Sequence, residues 1–404
     1  VIGLVIFNCW WLGWLALSNT NLNPLLSASF FTQLVFILWV VAFNLGAILL
    51  YLSKGNSVSE TSFGTFTNAR LNKRFNILLS FILISVTCLL YKSGALTSSY
   101  YEYFIKLRGE GSLGNSIASG FWAYYLKFIC YSISLALLSI LFSNTDHEKI
   151  YVRFAFVLLF FLGFSYYFQV NYPVMTLAYI IVISVIDPPV KSSLVRKRRK
   201  VFFSAIFLLA IILIFSAFGR YGSSNFLAVM NHYLISYNTL GFVFFDEKIN
   251  DVNSVLHSHT FGMSFLGSLE YVFVYLLNML GDSFSSLSTI QENVHENMVP
   301  LYLSKDPSRG LNAFGTILFT FYRDFGLFGV AFLGVVSGFF TFKFRYLGKV
   351  KSRVYYACYI FLLQSMIAGI GVSPFDFPYF WSTVIFIFIF GKTFTFRSKA
   401  VHEK

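Results

Sequence analysis

The chain has 404 residues, of which 57% are hydrophobic and only 12% charged, with a net charge of +13 and a mean hydropathy of +0.69. A soluble domain carries roughly a quarter charged residues, so a water-soluble globule is excluded. Twenty-one of the 30 Lys and Arg fall in five clusters that cut the apolar runs, which is positive-inside bias and not a nucleic-acid-binding face. The clusters are Lys54 with Arg70 to Arg74, Lys149 with Arg153, Lys191 to Lys200, Lys343 to Arg353, and the tail from Lys392.

In chain order, apolar runs long enough to cross a hydrocarbon core of about 30 Å fall near 2–19, 28–52, 75–92, 119–142, 154–169, 172–187, 201–218, 325–342, 354–372 and 379–395. No period-2 alternation of membrane-barrel type recurs, so helices are expected. The expectation is an all-α polytopic membrane protein with about 10 transmembrane helices. Basic clusters placed inside put both termini in the cytoplasm. The first run is expected to remain as a span, because no A-x-A-like cleavage site follows it. The four cysteines, Cys9, Cys88, Cys130 and Cys358, all lie in apolar runs and suggest neither a disulfide framework nor a redox pair.

Three regions follow from this layout. Residues 1–218 hold helices 1–7, with an external loop at 93–118. Residues 219–324 form one large external segment. Residues 325–404 hold helices 8–10 and a cytoplasmic tail, with a short external turn at Ser373 to Pro378. Within the large segment, Phe226, Met230, Tyr233, Leu234, Tyr237 and Phe244 share one helical stripe, while His232, Ser236 and Thr239 share another. That pattern predicts an amphipathic helix over 226–245 lying on the membrane surface. Residues 261–281 are apolar enough to dip into the bilayer, interrupted by Glu270, and Asn312 to Phe321 reads as an apolar helix too short to span.

Nine basic residues lie away from the clusters, among them Arg108, Lys127, Arg220 and Arg323. External cations run against the topology bias, so each needs a reason. Arg220 closes the seventh span and Arg323 opens the eighth at the same level, where guanidiniums bind phosphate in a fork; the alternative is snorkelling or a surface ion pair. Lys127 interrupts an apolar run and either snorkels or faces a cavity. Asp324, next to Arg323, is placed to stabilise a helix start, orient Arg323, or take a proton from a hydroxyl. Among the external histidines, His232 and His259 are the better placed as bases near neutral pH. No G-x-S-x-G, H-E-x-x-H or P-loop is present, which leaves hydrolase, zinc-protease and NTPase readings without support.

The stretch Asn312-Ala313-Phe314-Gly315-Thr316 through Phe321-Tyr322-Arg323-Asp324-Phe325-Gly326-Leu327-Phe328-Gly329, with this topology, resembles Wzy-type O-antigen polymerases. These belong to the wider family of bacterial oligosaccharide repeat-unit polymerases. The resemblance covers nearly the whole layout: many spans, a Tyr- and Arg-bearing loop after the third, and one large late loop. It implies a glycosyltransferase of the bacterial inner membrane with a GT-C-like bundle shared with O-antigen ligases. Such an enzyme passes a glycan from undecaprenyl pyrophosphate to the terminal sugar of a new lipid-linked repeat unit on the periplasmic face. It implies no cofactor and no metal, since the pyrophosphate already activates the donor. The residues that would carry the reaction are Asp324, His232 and Arg323 for catalysis. Arg108, Arg220, Arg323 and Lys127 would hold the pyrophosphate, and Tyr233 and Tyr237 would stack on sugars. Its partners would be the lipid-linked donor and acceptor and the membrane lipids, with a chain-length regulator protein as a further candidate and no nucleic acid. An O-antigen ligase shares the same pyrophosphate chemistry. A lipid-linked oligosaccharide flippase is the non-enzymatic alternative, and it would want more charge inside the spans than Lys127 and Glu270 supply.

Overall fold

A computed structural model describes residues 2–53, 69–98, 102–103, 122, 125–143, 150–168, 170–188, 203, 206–207, 209–211, 213–214, 231–280, 289–298 and 315–394. Among them the regular structure is helical. The helices are α1 (Ile2–Ser18), α2 (Phe30–Leu52), α3 (Ala69–Lys92), α4 (Tyr131–Ser143, entered through a π-turn at Tyr125–Cys130), α5 (Ile150–Phe168) and α6 (Tyr172–Ile186). There follow α7 (Tyr237–Asn250, entered through a π-turn at Asn231–Ser236), α8 (Gly267–Leu280), α9 (Thr289–Met298), α10 (Ile317–Val350), α11 (Arg353–Ala368) and α12 (Tyr379–Phe394). Among the described residues, five helical stretches are long and apolar enough to cross a membrane: 30–52, 74–92, 125–143, 151–168 and 317–350. This is the architecture of a helical membrane protein. The expected runs near 2–19, 172–187, 354–372 and 379–395 also fall on helices.

The chain divides into two compact units, 1–57 with 223–343 and 365–381, and 58–222 with 344–364 and 382–404. The first is built around aromatic side chains of α1 and α2. Phe7 stacks on Phe43 at 3.9 Å, Trp39 meets Phe321 at 5.4 Å, and Phe36 meets Phe242 at 4.5 Å. In lipid there is little hydrophobic drive between helices, so close backbone packing has to supply the attraction. Small residues provide it here. A Cβ built on Gly46 would overlap the Val335 carbonyl oxygen, one on Gly338 would overlap the Phe43 carbonyl oxygen, and Gly334 sits against Ala42 and Trp39. Helices α2 and α10 therefore touch backbone to backbone.

In the second unit α5 packs against α3, α4 and α6, and α4 is buried along its length except at Ile133. Tyr131 meets the rings of Phe161, Phe164 and Tyr172. At the end of α6, Asp187 is gripped by both Nε and Nη2 of Arg345, at 2.8 and 2.7 Å, and also accepts the Tyr359 hydroxyl at 2.7 Å.

One expectation needs correction, and two polar segments pack in ways that the sequence did not suggest. The surface helix expected over 226–245 is a buried one, α7, starting at Tyr237; residues 215–230 lie outside the described residues. Its presumed polar stripe faces inward: Ser236 and Thr239 are buried, while Leu234 and Tyr237 are exposed. The reason is a partner 216 positions away, for the Thr239 hydroxyl donates to the Asn23 side-chain oxygen at 3.0 Å. Asp246, on the same helix, accepts from the Ser29 and Thr32 hydroxyls at the start of α2. Glu270, which interrupts the apolar run 261–281, has a partner 19 positions on. Its carboxylate accepts the Thr289 backbone N–H at 3.0 Å and the Thr289 hydroxyl at 3.1 Å, capping α9. The turn at 373–378 holds a buried 3-10 segment, Pro374–Asp376.

Replacing Gly338 by Ala places a methyl group on the Phe43 carbonyl. The expected outcome is a loss of about 1–3 kcal/mol, read as a lower unfolding temperature of the detergent-solubilised protein; an unchanged temperature would mean that α2 and α10 are not in backbone contact.

Candidate active site

Helix α10 is not continuous. Phe325 (φ −146°, ψ 23°) and Gly326 (φ 62°, ψ −147°) leave the helical region and split it into 317–324 and 327–350. Gly326 occupies the left-handed region, where a Cβ is disfavoured, so glycine at this position makes the break possible. The break exposes carbonyls that the helix no longer satisfies. The Arg323 carbonyl accepts the Thr260 N–H at 3.1 Å, and the Asp324 carbonyl accepts the Phe261 N–H at 3.2 Å. A loop from the preceding segment thus takes the place of the missing helical turn.

Asp324 fastens that loop. It is 0% exposed. Its Oδ1 accepts the Thr260 hydroxyl at 2.7 Å and the N–H groups of Gly262 and Ser264 at 3.0 and 2.9 Å, while Oδ2 accepts the Phe265 N–H at 2.9 Å. Three converging backbone N–H groups and a hydroxyl use most of its acceptor capacity. They also hold Phe261 at φ 50° and Gly262 at φ 98°, conformations that a non-glycine residue adopts only when its surroundings over-determine it. Of the roles open to Asp324, the geometry serves that of an anchor.

Arg323 is 2% exposed. Its Nη1 donates to the Thr289 carbonyl at 3.2 Å and to the Asn293 amide oxygen. Its Nη2 pairs with Glu292 and lies 3.5 Å from Ser258 Oγ. Asn293 then turns its amide nitrogen to Asp376 at 3.0 Å, so one side chain links the guanidinium to a second carboxylate. Thr320 Oγ1 and Asn297 Nδ2 also reach Asp376, each at 3.4 Å, and Ser373 bonds to Thr320. Burial pushes the Asp376 carboxyl up to about 7, against the lowering effect of Asn293, Thr320 and Arg323. Asp376 is a site residue that sequence reasoning missed. Flanked by Pro374 and Pro378, it reads as part of a solvated turn, and its partners come from α9 and α10.

His259 completes the cluster. It is exposed, and its Nδ1 lies 3.3 Å from the Arg323 carbonyl oxygen. A carbonyl cannot donate, so Nδ1 carries the proton, and in the neutral ring Nε2 is the acceptor. Ser258, His259 and Thr260 thus contact in turn the guanidinium, the carbonyl of Arg323 and the carboxylate of Asp324. An outward imidazole is tied to the backbone of a buried cation.

The other residues that the sequence singles out lie apart from this cluster or beyond description. Arg108 and Arg220 lie outside the described residues. His232 and Tyr233 fall in the π-turn Asn231–Ser236, where the backbone alone is described. Tyr237 opens α7 with its side chain exposed. Lys127 belongs to the second unit, its ammonium 4.9 Å from the centre of the Phe168 ring. Lys248, one of the nine dispersed cations, is paired with Glu296 at 2.7 Å. Compared with known proteins, the chain matches no family model, no curated protein and no solved structure.

The Asp376 carboxyl gives a signed pH dependence. Its folded value of about 7 lies above the ordinary 3.8, so between these values the native state holds a proton that the unfolded state has lost. Stability from this group is complete at the acid end and is lost as pH rises through about 7. Asp376→Asn removes the effect. Its unfolding temperature should gain on wild type between pH 5 and pH 8, by the equivalent of a few kcal/mol at most (about 1.4 kcal/mol per pH unit). Parallel melting curves for the two proteins across that range would show that Asp376 is ordinary.

Proposed function

We propose that the chain is a Wzy-type O-antigen polymerase, a glycosyltransferase that joins undecaprenyl-pyrophosphate-linked oligosaccharide repeat units at the periplasmic face of the bacterial inner membrane. The observation that carries this reading is the surface at the helix break, where loop 258–260 wraps Arg323 and presents His259 beside it. The motif that bears the family resemblance, Tyr322-Arg323-Asp324-Phe325-Gly326, is the same one that breaks the helix.

In the reaction, the acceptor sugar hydroxyl attacks the anomeric carbon of the donor glycan. A new glycosidic C–O bond forms as the bond from that carbon to the pyrophosphate oxygen breaks, and undecaprenyl pyrophosphate leaves. Arg323 offsets the negative charge that grows on the leaving oxygen. His259, through Nε2, takes the hydroxyl proton. Asp324 keeps the loop closed over Arg323, and Asp376 keeps the Asn293 amide turned so that its oxygen faces the guanidinium. In this scheme Asp324 is a positioning residue and the acceptor-side base moves to His259, in place of Asp324 or His232. Tyr233 and Tyr237 remain candidates for sugar stacking.

The test is purified protein in detergent with an undecaprenyl-pyrophosphate-linked repeat unit, read as a glycan ladder on a gel. A ladder is the expected result; transfer only after lipid A core is added would make the protein a ligase, and failure of both would remove the enzymatic reading. Arg323→Ala should abolish the ladder at unchanged protein level. His259→Ala should slow turnover about 100-fold or more with little change in donor KM, because it acts on the acceptor; a ladder at wild-type rate would take His259 out of the mechanism.

A further inference from the structure

We infer that Glu292 is a built-in placeholder for a substrate oxyanion, holding the edge of Arg323 that an incoming diphosphate takes. The inference relies on the polymerase reading for the anion's identity and on guanidinium geometry for the site itself.

A guanidinium presents its Nε and Nη2 hydrogens side by side, a fork that matches two oxygens of one carboxylate or phosphate. The second unit of this chain contains the filled version: Arg345 engages Asp187 with both Nε and Nη2. At Arg323 the same edge is half used. Nη2 pairs with Glu292 Oε2, whereas Nε is buried and has no hydrogen-bond partner among the described residues. A buried donor left unpaired is costly, and native structures rarely tolerate one without a reason.

The other edge of Arg323 is committed to the Thr289 carbonyl and Asn293, which fixes the plane of the guanidinium. Glu292 is far less committed. Its side chain is 40% exposed against 2% for Arg323, and Arg323 is its one partner among the described residues. It sits on the solvent side of a cation that cannot move. Ser258 Oγ accepts from Nη2 at 3.5 Å and gives its own proton to the Val255 carbonyl at 2.7 Å. A phosphate group entering there satisfies Nε and Nη2 together and carries more negative charge than the carboxylate it displaces. Glu292 swings to water. Until then it neutralises a guanidinium that would otherwise be buried and unpaired.

The experiment uses the full chain in detergent with farnesyl diphosphate as the probe, its binding measured by calorimetry. Glu292→Gln is expected to bind the probe about fivefold or more tighter than wild type, the size expected for removing one partly exposed ion-pair competitor. Glu296→Gln removes the same charge from the same helix but is paired with Lys248, and its binding should change less than twofold. Arg323→Lys keeps the charge and loses the fork, so adding Glu292→Gln to it should give no gain. Equal or weaker binding by Glu292→Gln, an equal gain from Glu296→Gln, or no binding by any of these proteins overturns the inference. Should Glu292→Gln melt well below wild type, Glu292→Asp, one methylene shorter, replaces it with the same expected direction. The two readings fail separately. Tighter binding by Glu292→Gln without a glycan ladder keeps the placeholder and removes the polymerase, while a ladder from wild type with no gain in binding does the reverse.

Discussion

The Asp324 carboxylate organises everything around the helix break. A helix that stops inside a protein leaves carbonyls and N–H groups that must find other partners. Here the loop 259–265 supplies N–H groups to the stranded carbonyls of Arg323 and Asp324, and the Asp324 side chain takes the loop's own donors in return. The exchange is reciprocal, so neither part keeps its shape without the other. The left-handed backbone at Phe261 is stable only because the three N–H groups after it converge on one carboxylate.

From that anchor the charges arrange themselves outward by burial. Arg323 is deep, held by a carbonyl and an amide, while Glu292 reaches it from the solvent side. A second acid, Asp376, lies on the far side of Asn293 and is pushed toward its neutral form by burial. Were Asp376 as strongly ionised as a surface carboxylate, Arg323 would sit between two anions and the deep cluster would be over-neutralised. Instead one carboxylate is partly exposed and burial pushes the other toward its neutral form.

Much of the scaffold was legible in the sequence because apolar runs of span length need no partner to be recognised. The break was legible too. Tyr322-Arg323-Asp324 cannot sit in hydrocarbon and Gly326 follows at once, so a short helix ending before 325 and a span beginning there are both readable. What escaped depends on residues far apart. Thr239 counts as an exposed polar position until Asn23 is known to stand opposite it. Glu270 reads as a lone charge in an apolar run until Thr289 arrives to be capped. Asp376 looks like a solvated turn between prolines, and only Asn293, Asn297 and Thr320 bury it. His259 was visible as one of several histidines; its tautomer was not, because a backbone carbonyl sets it.

The reciprocal anchoring has a consequence for biosynthesis. The donors of loop 260–265 are made roughly 60 residues before the carboxylate that receives them. At about 5–20 residues per second the loop waits several seconds without its anchor, and Phe261 has nothing to hold it in the left-handed region. Helices α1 and α2 are already synthesised, but this surface has to wait for the eighth expected span to begin leaving the ribosome. A ribosome stalled or a chain truncated before residue 324 therefore leaves the loop untied, its N–H groups without the carboxylate that gathers them.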